Sequence, residues 1–180
     1  MNGGPRLVGL VQSVRIQGAL LLAVSLVSCV PAFLGGAGEP DPLRSAGIGL
    51  LLFATTCYGL QRARRPWYRE RLERLSPPPP TAEPVPQSEA FDLFSRSLTA
   101  PLLLVLLIGL AVGYATGIPV GMFVAGMAAG MLLQSRWLAA EERRLGGRVL
   151  CLYTPVRVRA DDPDGPLYRR SPFWIVRETP

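Results

Sequence analysis

The sequence contains no histidine and no lysine; all 19 of its basic residues are arginine. Without an imidazole the chain can build neither a Ser/His/Asp or Cys/His catalytic set nor a histidine-based zinc site. Nothing resembles a Walker loop, and no pattern of residues calls for a cofactor. Acidic residues number only 13, and none lies in the apolar stretches described below. Proton-coupled transporters and ion pathways need an ionisable group at membrane depth, so its absence weighs against them.

Cysteine is scarce too, with three in the chain. Cys29 falls in the outer half of the first apolar stretch and Cys57 near the inner end of the second. Their depths differ by roughly 14 Å at helical rise, beyond the reach of a disulfide. Cys151 is expected in the cytoplasm, where thiols stay reduced. Leu26-Val27-Ser28-Cys29 resembles a bacterial lipobox after a short signal-like segment. Because Val30 to Leu34 continue the apolar run past the cysteine, an uncleaved first helix is the expectation.

Charge is missing altogether from Ile16 to Gly38, Ser45 to Gln61 and Ser97 to Ser135, runs of 23, 17 and 39 residues. About 20 apolar helical residues cross a hydrocarbon core of about 30 Å. The first run crosses once, and the second is at the short end. The third would be about 58 Å long as one helix, so Thr116-Gly117-Ile118-Pro119 near its middle is read as a turn between two spans. The fold class expected is an all-α integral membrane protein of four transmembrane helices arranged as two hairpins, with a small cytoplasmic C-terminal tail read as a β-hairpin.

The chain divides accordingly. Residues 1–75 form the first hairpin, with spans at about 16–36 and 44–60 and a juxtamembrane basic helix; residues 76–88 form a proline-rich cytoplasmic linker that holds neither helix nor sheet. Residues 89–146 form the second hairpin, with spans at about 97–115 and 119–135, and residues 147–180 form the tail. The segment from Trp67 to Leu75 is either a separate amphipathic helix, with Trp67 and Tyr68 as interface anchors, or a prolongation of the second span bent at Pro66. In the tail, Val156-Arg157-Val158-Arg159 and Phe173-Trp174-Ile175-Val176 alternate like strands around a turn at Asp161-Asp162-Pro163-Asp164-Gly165. The aspartates could hold a divalent cation, but Pro163 between them and the missing downstream glutamate favour a turn.

Arginine sets the orientation, since cytoplasmic loops near membrane ends are enriched in it. Only Arg44 falls in a predicted outer loop. Both termini are therefore expected in the cytoplasm, and the composition points to a bacterial plasma membrane. The net charge of +6 serves orientation and attraction to anionic lipid headgroups rather than nucleic acid. Arg62, Arg64, Arg65, Trp67, Arg169, Arg170 and Trp174 are the candidate contacts with the membrane surface or a partner; for the tail residues, one strand covering another is the alternative.

Small residues recur every fourth position at Gly109, Gly113, Gly117 and Gly121, and again at Gly126 and Gly130. Such spacing lets helices approach closely where lipid provides no hydrophobic drive. Gly109, Gly113, Gly121, Gly126 and Gly130 are the expected helix-packing positions. They serve either the bundle itself, mainly the third helix against the fourth, or a protein partner or second copy. The two halves also resemble each other, by duplication or because leucine-rich segments imitate one another. Together these features point to a non-enzymatic accessory or scaffolding subunit. The alternatives are a small transporter or channel for an uncharged or hydrophobic solute and, more weakly, a membrane-bound enzyme.

Overall fold

A computed structural model describes residues 5–34, 41–154, 168 and 170–177. The chain is mostly helical, and three helical segments are long and apolar enough to cross a membrane: Leu10–Leu34, Pro42–Glu73 and Gln87–Thr116.

Strand β1 (Arg6–Gly9) runs directly into helix α1 (Leu10–Ser28), and a short helix α2 (Val30–Leu34) follows Cys29. Pro31 lacks the N–H that would continue the ladder, and the Cys29 N–H bonds three residues back to the Leu26 carbonyl at 3.2 Å. Helix α3 (Pro42–Glu73) starts where the Asp41 carboxylate accepts the Leu43 and Arg44 N–H groups, both at 3.1 Å. Pro42 occupies the first turn, where a missing donor costs nothing. Of the two readings of the basic segment, the prolongation is realised: α3 continues through Pro66 as one helix of 32 residues. Pro66 deprives the Arg62 carbonyl of its partner, but both residues are exposed and water can take that bond. Helices α4 (Gln87–Thr116) and α5 (Gly121–Leu145) end at Gly117 and Gly146, with φ of 67° and 65°. That left-handed conformation suits glycine, which has no Cβ to clash.

Beside the helices, a four-stranded sheet joins the tail to the N-terminal and linker segments. Its order is β2-β1-β3-β4, with β2 at Glu83–Pro84, β3 at Gly147–Leu152 and β4 at Phe173–Arg177. Strand β1 pairs parallel with β2 and antiparallel with β3, which pairs antiparallel with β4. The proline-rich linker was expected to hold no sheet, yet it supplies an edge strand. Glu83 N–H bonds the Pro5 carbonyl and Val85 N–H the Leu7 carbonyl, at 3.2 and 2.8 Å. Pro84 between them faces its donorless nitrogen outward, the one place a sheet tolerates it. The expected acidic turn and Val156 to Arg159 lie outside the described residues.

All four long helices meet this sheet at one end. Helix α1 leaves β1, α4 follows β2, α5 leads into β3, and the chain beyond α3 is held where Ile175 N–H bonds the Ser76 carbonyl at 3.1 Å. At the opposite end the Ser45 hydroxyl donates to the Gly117 carbonyl at 2.8 Å.

The helices do not pack as two hairpins. Helix α1 packs on α4 and α5, α3 packs on α5, and the consecutive helices α4 and α5 scarcely touch. The third helix therefore does not pack mainly against the fourth. A two-fold relation between the halves would pair α3 with α4 as α1 pairs with α5. Instead an apolar groove of about 380 Å³ lies between α3 and α4, lined by Leu52 of α3, Val105, Ile108 and Gly109 of α4, and Gly121 and Val124 of α5.

Candidate functional site

The glycines serve the interleaved packing. A Cβ on Gly109 would lie 2.6 Å from the Ser28 side chain and one on Gly113 3.3 Å from the Ala32 nitrogen, so α4 rests on α1 and α2. One on Gly121 would lie 2.6 Å from the Ser25 carbonyl, seating α5 on α1. One on Gly126 would strike Thr56 and Phe53, and one on Gly130 would reach Leu60 at 3.0 Å, which seats α5 on α3. The hydroxyls of this region are satisfied locally: Ser28 donates to the Ser25 carbonyl and Thr56 to the Leu52 carbonyl, each at 2.7 Å.

The candidate contact residues separate into two groups. Arg62, Arg64 and Arg65 are exposed along α3, Arg64 lying 6.0 Å from the Trp67 ring and Arg65 5.5 Å from the Trp137 ring. Such stacking holds a guanidinium in place while leaving its donors free. Arg62 and Arg65 also line a shallow groove of about 520 Å³ with Arg69 and Tyr58. Trp67 and Trp174, by contrast, are engaged with protein. Trp67 meets the Tyr68 and Phe173 rings edge-on at 4.9 and 5.7 Å. Trp174 is 6% exposed and packs with Leu7, Leu150 and Leu152, which corrects its reading as a surface contact. Tyr68 is also buried rather than an interface anchor, because the apolar edge of α3 covers the sheet instead of lipid. Arg170 is exposed, and its carbonyl, like that of Ser171, accepts from the Arg71 guanidinium, which itself lies 4.4 Å over Trp67. Arg169 lies outside the described residues.

Where helices and sheet meet, these aromatics wall one side of a cavity of about 370 Å³. Helices α1, α3 and α5 line it from the bundle, Phe94 from α4, and Cys151 and Leu152 from β3. Its polar residues are Ser13, Gln17, Arg64, Tyr68, Gln134, Thr154 and Ser171. Gln134 is 2% exposed and donates a long bond, 3.4 Å, to the Leu60 carbonyl. Ser13 donates to the Leu10 carbonyl at 2.9 Å and lies 3.7 Å from the Cys151 sulfur. Sequence reasoning missed this cavity. Its one legible signal was amide side chains, Gln17 and Gln134, placed inside otherwise uncharged runs.

Burial governs the titratable groups here. It pushes the Tyr68 hydroxyl above its ordinary range, an effect the Arg64 guanidinium beside it opposes. It pushes the Cys151 thiol up to about 11, against the Ser13 hydroxyl, so this thiol stays protonated and unreactive at neutral pH. On the far side of α1, burial raises the Glu142 carboxyl, opposed by the Val149 N–H it accepts and by the charges of Arg148 and Arg15. Among the described residues no three Cys, Asp or Glu side chains gather to hold a metal ion. Compared with family models, curated proteins and solved structures, the chain matches none of them.

Proposed function

We propose that this chain is a multi-pass protein of a bacterial plasma membrane that acts as a non-enzymatic accessory or scaffolding subunit, docking through its basic cytoplasmic face. The carrying observation is the segregation of charge. Every described arginine except Arg44 lies toward the end of the bundle that carries the sheet. The middle of the bundle instead presents an apolar belt, with Leu50, Leu51, Leu104 and Leu107 all exposed. So continuous an apolar surface calls for lipid, and the arginine rule puts the sheet in the cytoplasm.

Four crossings fit this reading although α5 is less apolar than the other three. Wedged between α1 and α3, it buries Gly121, Ala125, Ala128 and Gly130 against them, so small residues serve it better than leucine. The exposed guanidiniums of Arg62, Arg65 and Arg69 offer a partner bidentate donors for acidic side chains.

Crosslinking tests the idea. With a photoreactive group at Arg69→Cys in the native membrane, a discrete adduct with one protein or with a second copy is expected. Its loss in Arg62→Glu/Arg65→Glu would tie it to this face. A protein that stays an isolated monomer through mild extraction and crosslinking sinks the proposal. So does labelling that finds the proline-rich segment and the C-terminus on opposite sides of the membrane.

A further inference from the structure

The cavity at the junction of helices and sheet is graded in polarity. Along α1, Ser13 lies near the sheet and Leu21 deeper in the bundle; from Leu10 to Leu21 is about 16 Å at 1.5 Å per residue. Along α3, Arg64 lies nearer the sheet than Leu60, and along α5, Gln134 nearer than Met131 and Met127. Hydroxyls, amides and one guanidinium therefore lie among aromatic and aliphatic side chains at the sheet end, while Leu21, Leu60, Met127 and Met131 line the deep end alone. The volume of about 370 Å³ falls within the range of small-molecule sites, roughly 300–1,000 Å³.

The polar end has unspent capacity. Arg64 shares a hydrogen bond with the Tyr68 hydroxyl but, among the described residues, has no carboxylate within ion-pair distance, since the pairs formed are Arg6–Glu89, Arg74–Glu70 and Arg144–Glu141. Gln134, almost wholly buried, spends its amide on a bond at the limit of length. Thr154, from the chain beyond β3, completes the rim. A purely structural gap between helices would be lined by apolar groups, as the groove between α3 and α4 is. One cation with several neutral donors above a methionine-lined shaft instead matches a molecule with an anionic head and an apolar chain, and methionine adapts to chains of varied shape.

We propose that this cavity binds a single-chain anionic amphiphile, with its carboxylate or phosphate head on Arg64 and the polar rim and its chain among Val14, Leu21, Met127 and Met131. The inference goes beyond partner docking, because the cavity faces inward from the surface that Arg62, Arg65 and Arg69 present. It shares with that reading only the membrane location, and crosslinking at Arg69 stands or falls without it.

The full chain in phosphatidylcholine nanodiscs, titrated with tritiated laurate against empty nanodiscs, tests the proposal. Saturable binding of about one laurate per chain is expected, with methyl laurate competing about tenfold or more weakly because it lacks the charge Arg64 pairs with. Lauryl phosphate in the same competition tells a phosphate head from a carboxylate: the tighter competitor names the natural head. Arg64→Gln should erase the preference for acid over ester. Met131→Trp and Leu21→Trp, which fill the shaft from different helices, should each abolish binding while the thermal unfolding of the discs' protein stays cooperative. Binding no greater than to empty nanodiscs overturns the proposal, as do equal affinities for acid and ester or unchanged binding in both tryptophan variants.

Discussion

The Gln61 side-chain amide donates to the Gly130 carbonyl at 2.7 Å, tying α3 to α5 across 69 positions of sequence. Gln134 returns the contact from α5 to the Leu60 carbonyl, so the two helices exchange amide bonds at the level where the apolar belt ends. Gly130 makes this possible, since a side chain there would push against Leu60 and the Cys57 carbonyl. Gln61→Leu keeps the bulk and deletes the donor. It should lower unfolding stability by about 1 kcal/mol, in line with interhelical hydrogen bonds elsewhere in membrane proteins. Denaturant titration of the purified protein in mixed micelles measures this, and an unchanged midpoint removes the bond from the account.

Two glycine-to-alanine changes should part company. At Gly126 a Cβ would strike the Thr56 hydroxyl and would also lie 2.9 Å from the Phe53 Cα and closer still to the Phe53 carbonyl, backbone that cannot step aside. Gly126→Ala should therefore cost about 1–3 kcal/mol through overpacking. At Gly59, on the exposed face of α3, nothing lies within 4 Å. Gly59→Ala should leave stability unchanged or raise it by about 0.5–1 kcal/mol, because alanine is the better helix former. The same titration reads both, and equal effects would mean that α5 does not sit on α3 as described.

The helices were legible because their cause is local. Uncharged runs mark apolar segments by themselves, and Gly117 with Pro119 marks the turn without reference to anything distant. The partners of those helices were not legible. Spacing by fours announces that Gly109 and Gly113 approach something closely, but not that the neighbour is Ser28 and Ala32 rather than the helix beyond the turn. Small residues fit any small-residue surface, so the pattern carries no address.

The sheet escaped sequence reading for a different reason. Strand β1 is four residues long and finds its partners near positions 83 and 150. No local period survives in so short a segment, although Leu7 and Val8 are both buried, on opposite faces. Proline argued against β2 where only an edge position, with one neighbour, makes Pro84 acceptable. The cavity depends on that sheet, since Cys151, Leu152 and Phe173 close it, and it was therefore invisible until the strands were joined.

Glu142 gives stability a pH dependence whose sign can be worked out. Burial raises its carboxyl above the ordinary glutamate value, despite Arg148, Arg15 and the Val149 N–H. The folded chain thus holds this proton more tightly than the unfolded chain, and stability contributed by Glu142 falls as pH rises from about 4.3 through the raised value. Glu142→Gln keeps an oxygen for the Val149 N–H, now 2.9 Å from Oε1, and cannot ionise. It should be the more stable protein at neutral pH and should flatten the slope of thermal unfolding against pH in the weakly acidic range. A variant less stable than wild type at neutral pH would mean that attraction to the two arginines outweighs the cost of burial.

Cys151 should be an inert thiol in the folded chain. The thiolate is the reacting form, and enclosure beside Ser13 pushes this thiol up to about 11. At pH near 8 its thiolate fraction is roughly two hundredfold below that of a free cysteine with pKa about 8.5. In a Cys29→Ala/Cys57→Ala background, alkylation by iodoacetamide should therefore be slower than for free cysteine by at least that order, and recover to the free rate in denaturant. Raising the pH should accelerate it tenfold per unit until the fold itself is lost, because only the thiolate population changes. Ser13→Ala removes a neighbour that holds the thiol down, so labelling should slow further; a Ser13→Ala variant that labels faster would mean that access to the sulfur, rather than its proton, controls the rate.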